Sequence, residues 1–466
     1  MESTTRAELL QRLSEAQQAA TSLTLFFTGE PDPVFDAMTR LLHAAADDAA
    51  GVQEVTGAYR ALFRLLADEA EFSRGELVGD AWKTHLLNRL LADENAFSRR
   101  AALGEGEISP ALRAAAEGDL QRLQVLYRIE SRLFVAAVAR RQRVPGPPPT
   151  LGGMVPWEEL RSLRAETDRP ADPDAPLKRA LAESNDWSAL VDDLAQHYAR
   201  SGSGLFHRFR AFRWVADGDG GHLEGVAYPD PVRLEDLIAY DEERQLLLRN
   251  TEHFLAGSPA NDVLLYGDRG TGKSSTIKAL LNAYGDRGLR LIEVPKQHLA
   301  HFPRILELLR PRRERFILFV DDLSFEEHET YYKELKAVLE GGLEARPGNV
   351  LLYATSNRRH LITERFSDRE GSAGEVHARD AVQEKLSLSD RFGITVTFPS
   401  PDQETYLEIV EGLARRMGVE MERGDLRRKA LQWAARHNGW SGRTARQFIN
   451  FVLGEQRAAA GEACSE

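Results

Sequence analysis

A single cysteine, Cys464, stands among 466 residues, and it lies in the polar C-terminal stretch. An internal disulfide and any zinc site built on cysteines are thereby excluded. Long hydrophobic runs are missing as well, since no apolar stretch approaches the ~18 residues of a membrane-spanning helix. The opening Met-Glu-Ser-Thr-Thr-Arg-Ala-Glu lacks the charged-then-apolar build of a secretory leader, so the expectation is a cytoplasmic protein with no membrane attachment. Positive charge is in deficit: 60 Lys and Arg against 72 Asp and Glu leave a formal net charge of −12. That balance argues against a surface coated for nucleic acid, although a local basic stripe stays compatible with it. The sequence carries no internal repeat and no long low-complexity tract.

What is present suffices for packed cores. The hydrophobic content is 42%, and the length suggests about three domains. Residues 1–143 are rich in Ala, Leu and Arg and carry helical periodicity. Val52, Val55, Tyr59, Leu62, Phe63 and Leu66 share one face, as do Trp82, Leu86, Leu87, Leu90 and Leu91, which predicts a helical N-terminal domain. Val144-Pro-Gly-Pro-Pro-Pro-Thr-Leu-Gly-Gly cannot continue a helix and opens a linker and small connector over 144–231. A second break, rich in Pro and Asp, covers 168–176.

Within the connector, two β-prone runs, 205–215 and 222–228, flank Asp-Gly-Asp-Gly-Gly and predict a hairpin. Phe206, Phe209 and Trp214 interleave with arginines in its first run. That pattern suits single-stranded bases, but a small sheet with buried aromatics and solvated arginines accounts for it more simply. The basic run at 310–315 is mixed in charge and reads as a solvated loop before a buried strand.

From 232 the texture changes to apolar strands alternating with helical stretches. Strands are expected at 263–266, 291–294, 316–320, 350–354 and 394–398, giving a five-stranded parallel sheet covered by helices in an α/β core over 232–399. Helical pattern resumes over 400–457, and 458–466 form a tail.

Residues Gly267-Asp268-Arg269-Gly270-Thr271-Gly272-Lys273-Ser274 lie between the strand Val263-Leu264-Leu265-Tyr266 and a helix that opens at Ser275. This is a phosphate-binding loop in the setting its mechanism needs. Glycines at 267, 270 and 272 let successive backbone N–H groups and the helix N-terminus surround a triphosphate. Lys273 is expected to reach the β- and γ-phosphates and Ser274 to place its hydroxyl on Mg²⁺, which makes ATP with Mg²⁺ the expected ligand. The run Phe316-Ile-Leu-Phe-Val320 ends in Asp321-Asp322, where an open α/β sheet presents its ligands. Asp321 suits the metal and Asp322 the attacking water. Asn357, at the end of the next strand, carries the donor and acceptor needed to position that water.

The order and spacing of these segments resemble the AAA+ ATPases. Leu386-Ser-Leu-Ser-Asp-Arg391-Phe392-Gly393 resembles their box before the fifth strand, and the resemblance implies that Arg391 serves a neighbouring subunit. Trp440-Ser-Gly442-Arg443-Thr-Ala-Arg446 resembles the lid motif, which makes 400–457 a helical lid and Arg443 a nucleotide sensor. Leu234-Glu-Asp-Leu-Ile238-Ala239-Tyr240 resembles the segment lining the adenine pocket, which implicates Ile238. A closer resemblance, to the bacterial AAA+ family called domain of unknown function 815, rests on four stretches. These are Leu264-Leu-Tyr-Gly-Asp-Arg-Gly-Thr-Gly-Lys-Ser, Phe319-Val-Asp-Asp-Leu-Ser-Phe-Glu-Glu, Leu339-Glu-Gly-Gly-Leu-Glu-Ala-Arg-Pro and Tyr353-Ala-Thr-Ser-Asn-Arg-Arg-His-Leu.

The resemblance implies an ATPase assembled as a homo-oligomer, a ring or an open assembly, that remodels or loads a protein or nucleoprotein partner. A slow ATP-gated switch with the N-terminal helices as interaction surface is the alternative. Asp322 stands where many AAA+ members carry glutamate, which fits slow turnover. Pro295-Lys-Gln-His-Leu-Ala-His-Phe-Pro303 lacks the aromatic-apolar-glycine loop of protein-threading members, with Phe302 as an unorthodox substitute. The stretch 358–385 is long and polar for a strand connection, suiting either a subunit contact or a mobile loop.

Overall fold

The computed structural model describes residues 6–72, 77–104, 107–142, 154–160, 172–218, 220–324, 335–336, 339, 346–357, 389–437 and 439–463. The linker at 144–153 and the connection 358–385 lie outside them. The chain divides into two compact units, Met1–Arg208 and Phe209–Glu466.

Among its described residues the first unit holds helices and no strand: α1 (Arg6–Thr21), α2 (Pro33–Ala46), α3 (Val52–Phe72), α4 (Ala81–Leu91), α5 (Ala96–Leu103), α6 (Pro110–Tyr127), α7 (Ser131–Gln142), α8 (Ala175–Glu183), α9 (Val191–Ser201) and α10 (Leu205–Arg208). The apolar stripes read from the sequence are its core. Val55, Tyr59, Leu62 and Leu66 of α3, and Trp82, Leu86, Leu87, Leu90 and Leu91 of α4, are all buried in one cluster. Their polar edges are satisfied where they meet backbone: the Trp82 indole donates to the Leu126 carbonyl at 2.9 Å and the Tyr59 hydroxyl to that of Val155 at 2.7 Å. Local caps set the helix starts. The Asp32 carboxylate accepts from the Val34 and Phe35 N–H groups at the head of α2, and Asn95 with Ser98 forms a capping box on α5.

The second unit is built on a sheet of β1 (Ala211–Asp217), β2 (Gly220–Gly225), β3 (Val263–Gly267), β4 (Leu289–Glu293), β5 (Arg315–Val320), β6 (Val350–Ser356) and β7 (Ile394–Phe398). It has seven strands in the order β2-β1-β4-β5-β6-β3-β7, not the five expected. The five expected strands are all there and parallel. The hairpin adds the other two, because β1 pairs in parallel with β4 and carries β2 antiparallel on its outer edge. The first β-prone run is only partly strand: Leu205–Arg208 form a helical turn, and pairing begins at Ala211.

The hairpin's aromatics are packed inward. Trp214 is 1% exposed and donates its indole N–H to His301 at 2.9 Å, Phe206 and Phe212 are buried, and Arg213 on the opposite face meets Glu293 at 3.4 Å. A base-stacking platform needs open ring faces, and these rings do not offer them. Phe302, at the start of α13 (Phe302–Leu309), is also fully buried and so does not stand in for a substrate-gripping aromatic.

Helices α11 (Asp241–Leu255) and α12 (Lys273–Tyr284) pack against the sheet through Leu247, Phe254, Ile277, Leu280 and Leu281. The C-terminal segment forms α14 (Gln403–Met417), α15 (Arg423–Arg436) and α16 (Gly442–Ala463), with a small core of its own around Tyr406, Val410, Ala430 and Ile449. Strand β3 is the topological switch point: the chain leaves it to start β4 three places away, works back through β5 to β6, then crosses to β7 on its other side. Open α/β sheets place ligands at the C-terminal ends of the strands at such a point.

Candidate nucleotide-binding site

The loop 267–272 follows β3 at this point and opens α12. Its backbone demands glycine at two positions above all. Gly272, the residue before α12, has φ +94°, and Gly267, at φ +147°, lies where an added Cβ would come within 1.9 Å of the Phe398 carbonyl oxygen. Gly270 closes the loop against the lid: its carbonyl accepts from the Gly442 N–H at 2.9 Å, at the start of α16. A cleft of about 710 Å³ opens between loop and lid.

Five of the polar side chains singled out by sequence meet there, Ser274 with Asp321, and Asn357 with Asp322 and Lys273. Ser274 donates to Asp321 Oδ1 at 2.6 Å. Asn357 donates its amide to Asp322 Oδ1 at 2.6 Å and accepts from Lys273 Nζ at 3.2 Å. Lys273 Nζ also donates to the Gly267 and Asp268 carbonyls at 2.7 Å each. Asp268 in turn takes a hydrogen bond from Ser400 just beyond β7. Burial pushes the Lys273 ammonium below its ordinary range, against the opposing charges of Asp268, Asp321 and Asp322. Arg269, Thr271, Ser275 and Arg443 line the cleft, as do Gly270 and Gly272.

Ile238 lines it too, wedged against α14 so closely that a Cβ on Gly412 would stand 2.4 Å from its Cδ1. Arg391 is placed elsewhere. It ends the short turn Ser389–Arg391 ahead of β7 and is not among the cleft-lining residues.

Sequence reasoning missed Thr355, the residue that joins the two acids. Its hydroxyl donates to Asp321 Oδ1 at 2.5 Å and accepts from the Asp322 N–H at 3.0 Å. The available signal was its place on β6, one alternation before Asn357. Phe398 was missed as a lining residue, while Tyr240 and Arg446, which belong to the segments likened to the adenine pocket and the lid motif without being singled out, line the cleft as well. Tyr240 sits in a left-handed conformation at φ +63°, donates to the Pro399 carbonyl at 2.7 Å, and packs its ring 5.4 Å from that of Phe398. The cleft lining combines the cations Lys273, Arg269, Arg443 and Arg446 with the apolar side chains Ile238, Ile409 and Leu413. Asp322 adopts a left-handed conformation, φ +52°, which aspartate tolerates better than most residues with a Cβ.

A family model described as "Protein of unknown function (DUF815)" matches residues 207–456, just over half of the chain. The chain belongs to this family. Among curated proteins, the cell division cycle protein 48 homolog of Archaeoglobus fulgidus is 28% identical over 222 residues, which is 41% of this chain and 26% of that protein. This DUF815 member thus spans about a quarter of the length of the curated relative it matches. Among solved structures, the RuvB Holliday junction branch migration motor of Thermotoga maritima is 19% identical, over 47% of this chain and 63% of that one, with a TM-score of 0.32. AMPPCP-bound DnaA from Aquifex aeolicus is 18% identical, over 48% and 66%, with a TM-score of 0.34. The fold of the DUF815 region is of the AAA+ P-loop type: phosphate loop after β3, paired acids after β5, asparagine after β6, and a helical lid.

Proposed function

We propose that this protein binds ATP with Mg²⁺ in the cleft and hydrolyses it, using the energy to remodel or load a protein or nucleoprotein partner. The observation that carries this reading is the convergence of Ser274 and Asp321, and of Asp322, Asn357 and Lys273, in a cleft that the apolar Ile238, Ile409 and Leu413 also line. The donor set fits the ligands. Glycines leave the loop backbone open at the N-terminus of α12, the cations answer a triphosphate, and a hydroxyl beside a carboxylate offers the hard oxygens that Mg²⁺ takes.

Ser274 and Asp321 would hold the ion, which neutralises charge between the β- and γ-phosphates. Lys273 exchanges its loop carbonyls for phosphate oxygens. Asn357 orients the attacking water and Asp322 accepts its proton as the water oxygen bonds to the γ-phosphorus and the bridging oxygen leaves with ADP. Asp268, Thr271 and Ser275 shape the phosphate cradle, Ile238 packs on the base, and Arg443 reports nucleotide to the lid.

Arg391, lying off the cleft of its own chain, acts on the γ-phosphate of a neighbouring subunit, so the working form is a homo-oligomer. We place it in the cytoplasm. Among the described residues no helix is long and apolar enough to cross a membrane.

Asp322→Asn tests the chemistry. It should still bind ATP but lose hydrolysis by about a hundredfold or more, whereas Lys273→Ala should lose binding itself. Wild-type turnover in Asp322→Asn would overturn the assignment. The same variant, loaded with ATP and used for capture from lysate with and without nuclease, distinguishes a protein partner from a nucleoprotein. A slow ATP-gated switch is favoured instead if the partner binds tightly with no rise in turnover; the shorter Asp322 in place of glutamate supports that second reading.

A further inference from the structure

The helical unit holds a cluster that the nucleotide site does not use. Asp174, immediately before α8, His197 of α9 and His207 of α10 bring one ligand atom each within 4.8 Å of one another. His207 Nε2 lies 3.1 Å from Asp174 Oδ2, and His197 Nδ1 lies 3.8 Å from Asp174 Oδ1. Donors bound at about 2.0–2.2 Å around a tetrahedral ion stand about 3.4 Å apart, and the two observed separations bracket that spacing.

The cluster is enclosed: the side chains of Asp174, His197 and His207 are 12%, 6% and 11% exposed. It is also under-satisfied. Asp174 Oδ1, the oxygen nearest His197, is buried without a hydrogen-bond partner where buried polar atoms are normally paired, and the ring nitrogens that do not face Asp174, His197 Nε2 and His207 Nδ1, are buried without one as well. One carboxylate serves two imidazoles, so an ordinary ion pair satisfies His207 alone. The neighbouring Lys178 does not fill the gap, since its ammonium is engaged by Asp172 at 2.8 Å. Asp174 is kept available as well, because it precedes α8 without using its side chain as a cap.

We propose that Asp174, His197 and His207 bind a first-row divalent transition metal ion, of which Zn²⁺ is the representative. Two imidazoles and a carboxylate are a donor set such ions accept, with the fourth position left to water. The ligands come from three separate elements at the C-terminal end of the helical unit, so the ion would fasten α8, α9 and α10 together where the DUF815 region begins at residue 207.

The test uses the full-length protein, stripped with chelator, dialysed, and titrated with Zn²⁺ and with Co²⁺. Expected are about one tightly held equivalent of Zn²⁺, a visible Co²⁺ absorption band of a tetrahedral site, and a rise in Tm on adding Zn²⁺. The equivalent, the band and the Tm rise should be lost in His197→Ala, His207→Gln and Asp174→Asn, with folding checked by circular dichroism. Absence of a tight equivalent in the wild type, or its persistence in the folded variants, would overturn the proposal. Should a variant fail to fold, X-ray absorption of the Zn²⁺-loaded wild type decides. A shell of two imidazoles and a carboxylate supports the site, and a shell of water oxygens alone sinks it.

Discussion

Asp322 combines a left-handed backbone with a side chain that meets Asn357 in the cleft. A left-handed conformation costs a residue with a Cβ about 1–2 kcal/mol. Here it is held by the Thr355 hydroxyl on the Asp322 N–H and by the Leu323 N–H on the Thr355 carbonyl at 2.7 Å. The turn thereby aims the carboxylate at Asn357 instead of along β5. Backbone and side chain can be separated by substitution: Asp322→Gly should be more stable than Asp322→Ala by about 1 kcal/mol in denaturant unfolding, while both lose the base. Equal stabilities would mean the strain is not borne at this residue. The aspartates, the lysine and the asparagine were legible from their order along the chain, whereas Thr355 was not, because a threonine inside an apolar strand looks like any β-branched residue.

At the scale of elements, α2, α3 and α4 are tied by a buried charge network whose centre is His85. Its Nδ1 meets Glu69 at 2.7 Å and its Nε2 meets Asp32, the α2 cap, at 3.0 Å. Burial alone would push the imidazole down. Hydrogen bonds that His85 donates to Asp32 and Glu69, with the charges of these carboxylates, overcome it and raise His85 to about 9. The folded value exceeds the unfolded one of about 6.5, so the stabilisation is fully present below that pH and is lost as pH rises through about 9. Asp32 shifts the other way: burial opposes, but His85 and the Phe35 N–H hold it below the usual carboxylate range, so its contribution is lost in acid. Thermal unfolding should show the helical unit weakening between about pH 7 and 9, and His85→Gln should flatten that slope. An unchanged slope in the variant would place the titration elsewhere. Helical periodicity revealed these helices; the ion network that joins them has no sequence signature, since its members are separated by turns of unpredictable reach.

For the whole molecule, the arrangement of Arg391 carries a consequence for assembly. It sits before β7 and is not among the residues lining the cleft of its own chain, and under the proposed function it would act on nucleotide held by a second subunit. Specific ATPase activity should therefore rise with protein concentration and collapse in Arg391→Ala, by about a thousandfold where the arginine acts in trans. Mixing Arg391→Ala with Asp322→Asn subunits should restore part of the activity, because each supplies what the other lacks. Activity independent of dilution would rule the trans arginine out. The hairpin that extends the sheet to seven strands also belongs to this scale, since it joins the nucleotide-binding sheet instead of standing apart as a connector.

Sequence by itself determined the helical first unit, the parallel core and the chemistry after β3, β5 and β6, because apolar periodicity and short motifs act over a few neighbouring residues. Tertiary structure alone decided that the hairpin's aromatics face inward, that Thr355 links the paired acids, that Tyr240 and Phe398 pack together, and that Asp174, His197 and His207 share one pocket. Each of these depends on elements far apart in the chain meeting at a few ångströms, and strand order and helix packing, which set those meetings, are properties of the assembled core.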